Sequence, residues 1–149
     1  MKALTSRFGT IDIDEGQIIH MPSGMIGFPE EKRYILLEHQ KGSPFLWFQS
    51  VDNGSLAFVL IDPLIFKPDY EFEIVPEDTA ALELSNASEG IQTLVVVNIS
   101  NGSSMEITAN LLAPIVFNVS HRRAKQIVLY QSQYSHRHPI PLNREEKTP

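Results

Sequence analysis

Two apolar runs, Phe45-Leu46-Trp47-Phe48-Gln49-Ser50-Val51 and Leu56-Ala57-Phe58-Val59-Leu60-Ile61, are joined by Asp52-Asn53-Gly54-Ser55. Short runs rich in aromatic and β-branched residues, bounded by turn residues, predict strands. Asn53-Gly54 predicts a tight hairpin turn with positive φ. The second run has no polar position, which predicts a strand buried on both faces or nearly so.

The rest of the chain repeats this pattern. Thr10-Ile11-Asp12-Ile13 alternates, and Ile18-Ile19 opens another short run. Pro22, Gly24, Gly27 and Pro29 punctuate a loop whose glycines are expected at positive φ. Residues 33–37, 92–99, 106–110, 115–119 and 125–130 predict further strands, with turns at 100–104 and 121–124. Tyr70-Glu71-Phe72-Glu73-Ile74 alternates strictly: Tyr70, Phe72 and Ile74 share one side, and Asp69, Glu71 and Glu73 the other. Residues 76–84 predict the one helix, with Pro76 in its first turn and Glu77 and Asp78 complementing the dipole; residues 85–90 end it. Leu111-Leu112-Ala113-Pro114 interrupts two strands, and its proline predicts an edge, a bulge or a bend. Leu111, Leu112 and Ile115 are expected to fill the core there, with Asn110 bonding backbone groups at the bend. About nine short strands and one short helix, without a βαβ rhythm, predict an all-β, mainly antiparallel, barrel-like fold. Residues 1–140 are read as a single domain, and 141–149 as a polar tail expected to be disordered.

The chain's 149 residues suit one domain with its own core. There is no cysteine, which removes disulfides, thiol catalysis and Cys-ligated metals. Residues 1–120 hold 6 Lys/Arg and 16 Asp/Glu, a balance of −10, whereas 121–149 hold 6 and 2, a balance of +4. Nucleic-acid affinity rests largely on Lys/Arg contacts to phosphate, so an acidic body predicts no direct nucleic-acid binding. The same field attracts a basic protein. No apolar run is long enough to span a bilayer, and the N-terminal residues have no apolar signal core. A cytoplasmic location is expected.

No nucleophile elbow, P-loop or dinucleotide fingerprint is present. His136 and His138 lack a third ligand at a recognisable spacing, so no metal or cofactor is expected. A carboxylate pair for glycoside hydrolysis would need two acids at a set separation, which spacing along a chain cannot establish. The informative acids are Asp69, Glu71 and Glu73. They are either a solvated strand face that blocks aggregation or a docking face for a basic protein. Trp47 reads first as core, with a second reading as a binding hot spot.

Several segments, taken in order, resemble the FliW family of flagellar assembly factors. They are Phe8-Gly9-Thr10-Ile11-Asp12-Ile13, Gly27-Phe28-Pro29-Glu30, Phe45-Leu46-Trp47-Phe48-Gln49-Ser50-Val51-Asp52, Pro68-Asp69-Tyr70-Glu71-Phe72, Thr108-Ala109-Asn110-Leu111-Leu112-Ala113-Pro114-Ile115-Val116, Lys125-Gln126-Ile127-Val128-Leu129 and Arg137-His138-Pro139-Ile140. The segments around Tyr70 and Asn110 are the most specific. The resemblance implies a non-catalytic protein that binds CsrA, a small dimeric RNA-binding repressor of translation, and so relieves repression of flagellin mRNA. It implies flagellin as a competing partner. The candidate partner-binding residues are therefore Asp69, Tyr70, Glu71, Glu73, Trp47 and Asn110. The basic turn Arg122-Arg123-Ala124-Lys125 departs from what a surface for a basic partner should carry. The alternatives are a dedicated flagellin chaperone with no role in translation, and a β-barrel hydrolase using a carboxylate pair.

Overall fold

The computed structural model describes residues 1–38, 40–84, 90–101 and 105–141. The tail 142–149, most of the expected helix end at 85–90 and most of the expected turn at 100–104 lie outside the described residues.

Eleven strands are described: β1 (Lys2–Thr5), β2 (Gly9–Asp12), β3 (Ile19–His20), β4 (Arg33–Glu38), β5 (Phe45–Ser50), β6 (Ala57–Ile61), β7 (Ile91–Asn101), β8 (Met105–Ala109), β9 (Ile115–Asn118), β10 (Arg123–Gln126) and β11 (His138–Pro139). One α-helix, α1, covers Pro76–Ala81. β3, β4, β5, β6, β7, β9 and β10 each pair with the next, and β10 returns to β3, so these strands close a ring. Every pairing is antiparallel except β10 with β3. The all-β, mainly antiparallel reading is correct, and closure removes the sheet edges that an open β-domain must protect.

The alternation of side chains explains the apolar runs. Tyr34, Phe48, Leu60, Leu94, Ile115 and Phe117 point into the barrel, where Tyr34 stacks on Phe48 with ring centroids 4.4 Å apart. Their neighbours point outward and are covered by three separate packings. Ala3 on β1 and Ile13 just after β2 cover Ile35 and Val51. Tyr70 and Ile140 join Phe45, Ile61, Val95 and Val97. Leu82, at the end of α1, covers Val116 and Ile127. Strands buried on both faces need apolar residues at every position. On β6, Leu60 and Ile61 meet this fully, while Ala57, Phe58 and Val59 are half-buried.

β8 and β9 pair with the same strand, β7, and are two halves of one interrupted strand. Val97 stands opposite Ala109, and Leu94 opposite Ile115. Three steps along β7 thus face six along its partner, so residues 110–114 form a bulge with three extra residues. The proline bend is where the sequence places it.

Several expectations need correction. Tyr70–Ile74 is not a strand: it pairs with no neighbour, although its burial alternates as read. Period-two burial needs an extended chain over a core, not a ladder. Leu111 and Ile115 are fully buried, but Leu112 is only half-buried, because the bulge turns it aside. Gly24 and Gly27 have φ of 66° and 90°, as expected. Gly54 is not at positive φ. Its glycine is needed for another reason: a Cβ there would lie 1.9 Å from the Leu4 carbonyl oxygen. The turn expected at 121–124 lies at 119–122, and β10 starts at Arg123 and ends at Gln126 rather than running over 125–130.

Leu111→Ala should cost about 2–5 kcal/mol through lost burial and a cavity, and Leu112→Ala distinctly less. Chemical denaturation of the two variants checks this; equal losses would contradict the assigned burial.

Candidate functional site

The candidate residues fall into two places. Asn110 lies in the bulge and Tyr70 reaches it, and Asp69, Glu71 and Glu73 stand on the segment that Tyr70 anchors. Trp47 does not join them. It is buried on β5, meets Phe8 edge-on at 6.0 Å, and carries the Arg7 guanidinium 4.1 Å above its ring. Its packing is that of a core residue under a cationic lid.

The bulge is held by a nearly complete set of hydrogen bonds. Asn110 Oδ1 accepts from the N–H groups of Leu112 and Ala113, both at 3.1 Å. The Asn110 N–H donates to the Val96 carbonyl at 2.9 Å, and the Leu111 N–H to the Ser135 carbonyl at 2.9 Å. The Leu112 carbonyl accepts from the Leu129 N–H at 2.8 Å, and the Pro114 carbonyl from the Ile127 N–H at 2.9 Å. Gln126 Nε2 donates to the Ala113 carbonyl at 3.2 Å. Buried backbone groups without partners are costly, so this satisfaction is what lets a loop occupy a barrel wall. Asn110 is therefore structural, as read at the bend.

Tyr70 supplies the remaining bond. Its hydroxyl donates to the Leu111 carbonyl at 2.7 Å in a buried setting. Burial pushes the Tyr70 hydroxyl well above its usual range, and the neighbouring Tyr134 adds to this. The two rings lie 4.6 Å apart. Tyr134 then grips the main chain of Glu71: its hydroxyl donates to the Glu71 carbonyl at 2.9 Å and accepts from the Glu71 N–H at 3.1 Å. With the backbone pinned at 70 and 71, Asp69, Glu71 and Glu73 stand exposed on the outer side. Asp69 is paired with Lys67 at 3.0 Å, which holds its carboxyl below the usual range.

The basic turn is largely consumed within the fold. Lys125 pairs with the buried Asp78 at 2.5 Å. Arg123 pairs with Glu83 at 3.0 Å, and its Nε also donates to the Ala81 carbonyl at 3.2 Å. Asn118 Nδ2 donates to the Leu82 carbonyl at 2.8 Å. These donors satisfy carbonyls that the end of α1 leaves open. Arg123 and Lys125 of the turn thus serve the helix, while Arg122 is exposed and, among the described residues, forms no ion pair.

Between the acidic segment and the chain after β10 lies an open groove of about 850 Å³, lined by Glu71, Phe72, Glu73, Glu77 and, opposite, Ile127–Tyr130 and Tyr134. Tyr134 and Lys125 were not foreseen as site residues. An aromatic set alone in the polar stretch Gln131-Ser132-Gln133-Tyr134-Ser135 was the available signal for the first. Lys125 stands out in the sequence only as part of the basic turn, and nothing local marks its pairing with Asp78, 47 residues away in sequence. Among the described residues, no helix is long and apolar enough to cross a membrane.

A family model described as "FliW protein" matches residues 2–140. The flagellar assembly factor FliW of Geotalea uraniireducens (strain Rf4) is 47% identical over 147 residues, covering 99% of this chain and 88% of that protein. The flagellar assembly factor FliW of Syntrophus aciditrophicus (strain SB) is 44% identical over 145 residues, covering 97% and 90%. A crystal structure of the flagellar assembly factor FliW superposes with a TM-score of 0.86 at 33% identity, covering 97% of this chain and 99% of the other.

Tyr70→Phe leaves the buried Leu111 carbonyl without its donor and should cost about 1–3 kcal/mol at neutral pH. Because the folded Tyr70 holds its proton more tightly than the unfolded chain does, its contribution is full below the ordinary tyrosine value of 10.0 and lost as pH rises beyond it. Unfolding curves at neutral and strongly alkaline pH should show the gap between wild type and variant narrowing. Equal stabilities at neutral pH would contradict the role given to this bond.

Proposed function

The chain belongs to the FliW family of flagellar assembly factors, and from that premise we propose that it is a non-catalytic, cytoplasmic binding protein with two competing partners. One is CsrA, whose repression of flagellin mRNA it relieves. The other is flagellin, whose binding returns CsrA to its RNA. The family resemblance supplies the identity of these partners, and charge supplies the sign of the surface.

One observation carries this reading. The exposed acids Asp69, Glu71 and Glu73 are mounted on a backbone pinned to the bulge by Tyr70 and Tyr134. A segment already ordered loses little entropy on binding, and its charges speed encounter with a basic partner more than they deepen affinity. Asp78, the buried acid of the groove, is taken up by Lys125, which favours docking over acid–base chemistry for this cluster. Nucleic-acid contact is not part of the proposal, since phosphates need cations and the body of the chain stands at −10 over residues 1–120.

A gel shift with flagellin leader RNA tests the scheme. The protein alone should leave the RNA unshifted, release it from a CsrA–RNA complex, and lose that effect when flagellin is added. In stopped-flow at low salt, Glu71→Lys with Glu73→Lys should slow CsrA association by about tenfold or more and flatten its salt dependence. A direct RNA shift, or unchanged association of the folded double variant, would contradict the reading.

A further inference from the structure

The walls of the groove beside the acidic segment share an unusual property. Each runs like a strand, yet each lacks a ladder partner on the side that faces the groove. On one wall, burial alternates through Tyr70, Glu71, Phe72, Glu73 and Ile74. Among the described residues, the N–H and C=O groups of Phe72, Glu73 and Ile74 meet no hydrogen-bond partner. On the other wall, the N–H groups of Ile127 and Leu129 are spent on the bulge, at the Pro114 and Leu112 carbonyls. Alternation then turns the main-chain groups of Val128 toward the other edge, and among the described residues they too have no partner.

Tyr134, bonded to the main chain of Glu71, and Lys125, paired with Asp78, both line the groove. Its volume of about 850 Å³ lies in the range of ligand-binding cavities. The lining is of two kinds. Half-buried Phe72 and Leu129 and buried Ile127 supply apolar surface. Glu71, Glu73 and Glu77 are exposed and, among the described residues, form no ion pair. Unpaired strand edges are templates for another chain, and proteins usually cover or disrupt them. Here they are held apart by side-chain pins and surrounded by negative charge.

We propose that this groove is a strand acceptor, taking an extended segment of a partner protein in which basic and apolar residues alternate. By the same alternation the main-chain groups of Glu73 share the edge that Glu71 turns to Tyr134, so main-chain bonds to Glu73 and Val128 would hold the segment, its apolar side chains would meet Phe72 and Leu129, and its cations would meet Glu71, Glu73 and Glu77. The proposal rests on the reading of the chain as a protein-binding factor with an acidic docking surface. It adds the conformation and the chemistry of what is bound.

The test uses the full chain, labelled with ¹⁵N, and a blocked hexapeptide of sequence Lys-Val-Lys-Val-Lys-Val. Two controls accompany it: the same peptide N-methylated on its valines, which cannot complete a ladder, and a version with Glu in place of each Lys. The expected result is millimolar or tighter binding that slows amide exchange at Glu73 and Val128, weakened about tenfold or more by either control change. Glu73→Lys in the chain should weaken binding of the basic peptide, with its unfolding midpoint confirming that it is folded. Failure to bind, binding without slowed exchange at those two amides, or equal binding of the N-methylated peptide would overturn the proposal. The last two outcomes would indicate a helical or purely electrostatic occupant. The peptide is neither CsrA nor flagellin, so its failure leaves the partner assignment standing, and failure of the CsrA gel shift leaves the strand acceptor standing.

Discussion

Three extra residues in one barrel strand govern the rest of the molecule. Opposite Val95 and Val96 the partner strand cannot continue its ladder, since Pro114 has no N–H and, past the bond from the Asn110 N–H to the Val96 carbonyl, the chain must accommodate residues 111–114 without pairing them to β7. The polar groups so released are captured by side chains and by later segments: Asn110 from within, Tyr70 from one side, Gln126, Ile127 and Leu129 from the other. The bulge is therefore both a defect in the barrel and the anchor from which the walls of the groove hang.

This arrangement also accounts for the acidic segment lacking a strand partner. A seventy-region strand paired into the sheet would present its charges but would have no free edge. Held instead by Tyr70 and Tyr134, the segment covers the outer apolar side chains of the barrel with Phe72 and Ile74 while, among the described residues, its main chain at 72–74 stays unpaired. Packing and exposed edge coexist because side-chain hydroxyls do the holding that a ladder would otherwise do.

Much of the fold was legible in the sequence because it depends on local pattern. The runs at 45–51 and 56–61 became β5 and β6, Pro76 opened α1, and Pro114 marked the bend. What was illegible depends on distant partners. Alternation at 70–74 shows which side chains are buried, and the same pattern arises with or without a neighbouring strand. Leu112 looks like Leu111 in sequence, and only the path of the bulge separates them. Gly54 fitted a positive-φ turn, whereas its real constraint is the Leu4 carbonyl, fifty residues earlier. At the site, the outward acids could be read from period two alone. Lys125 and Tyr134 could not, since each acts through a contact with a segment far back in the chain.

The central claim is that one bulge holds both walls, so disturbing it should loosen them together. Residue-resolved amide exchange of Asn110→Ala measures this directly. That variant removes the acceptor for the Leu112 and Ala113 N–H groups and touches neither wall through its own side chain. The account predicts faster exchange at Leu112 and Ala113 accompanied by faster exchange at Ile127, Leu129 and Glu71, with the β4–β5 ladder unchanged. Opening confined to Leu112 and Ala113, with Ile127, Leu129 and Glu71 as protected as in the wild type, would show that the walls are held independently and would contradict it.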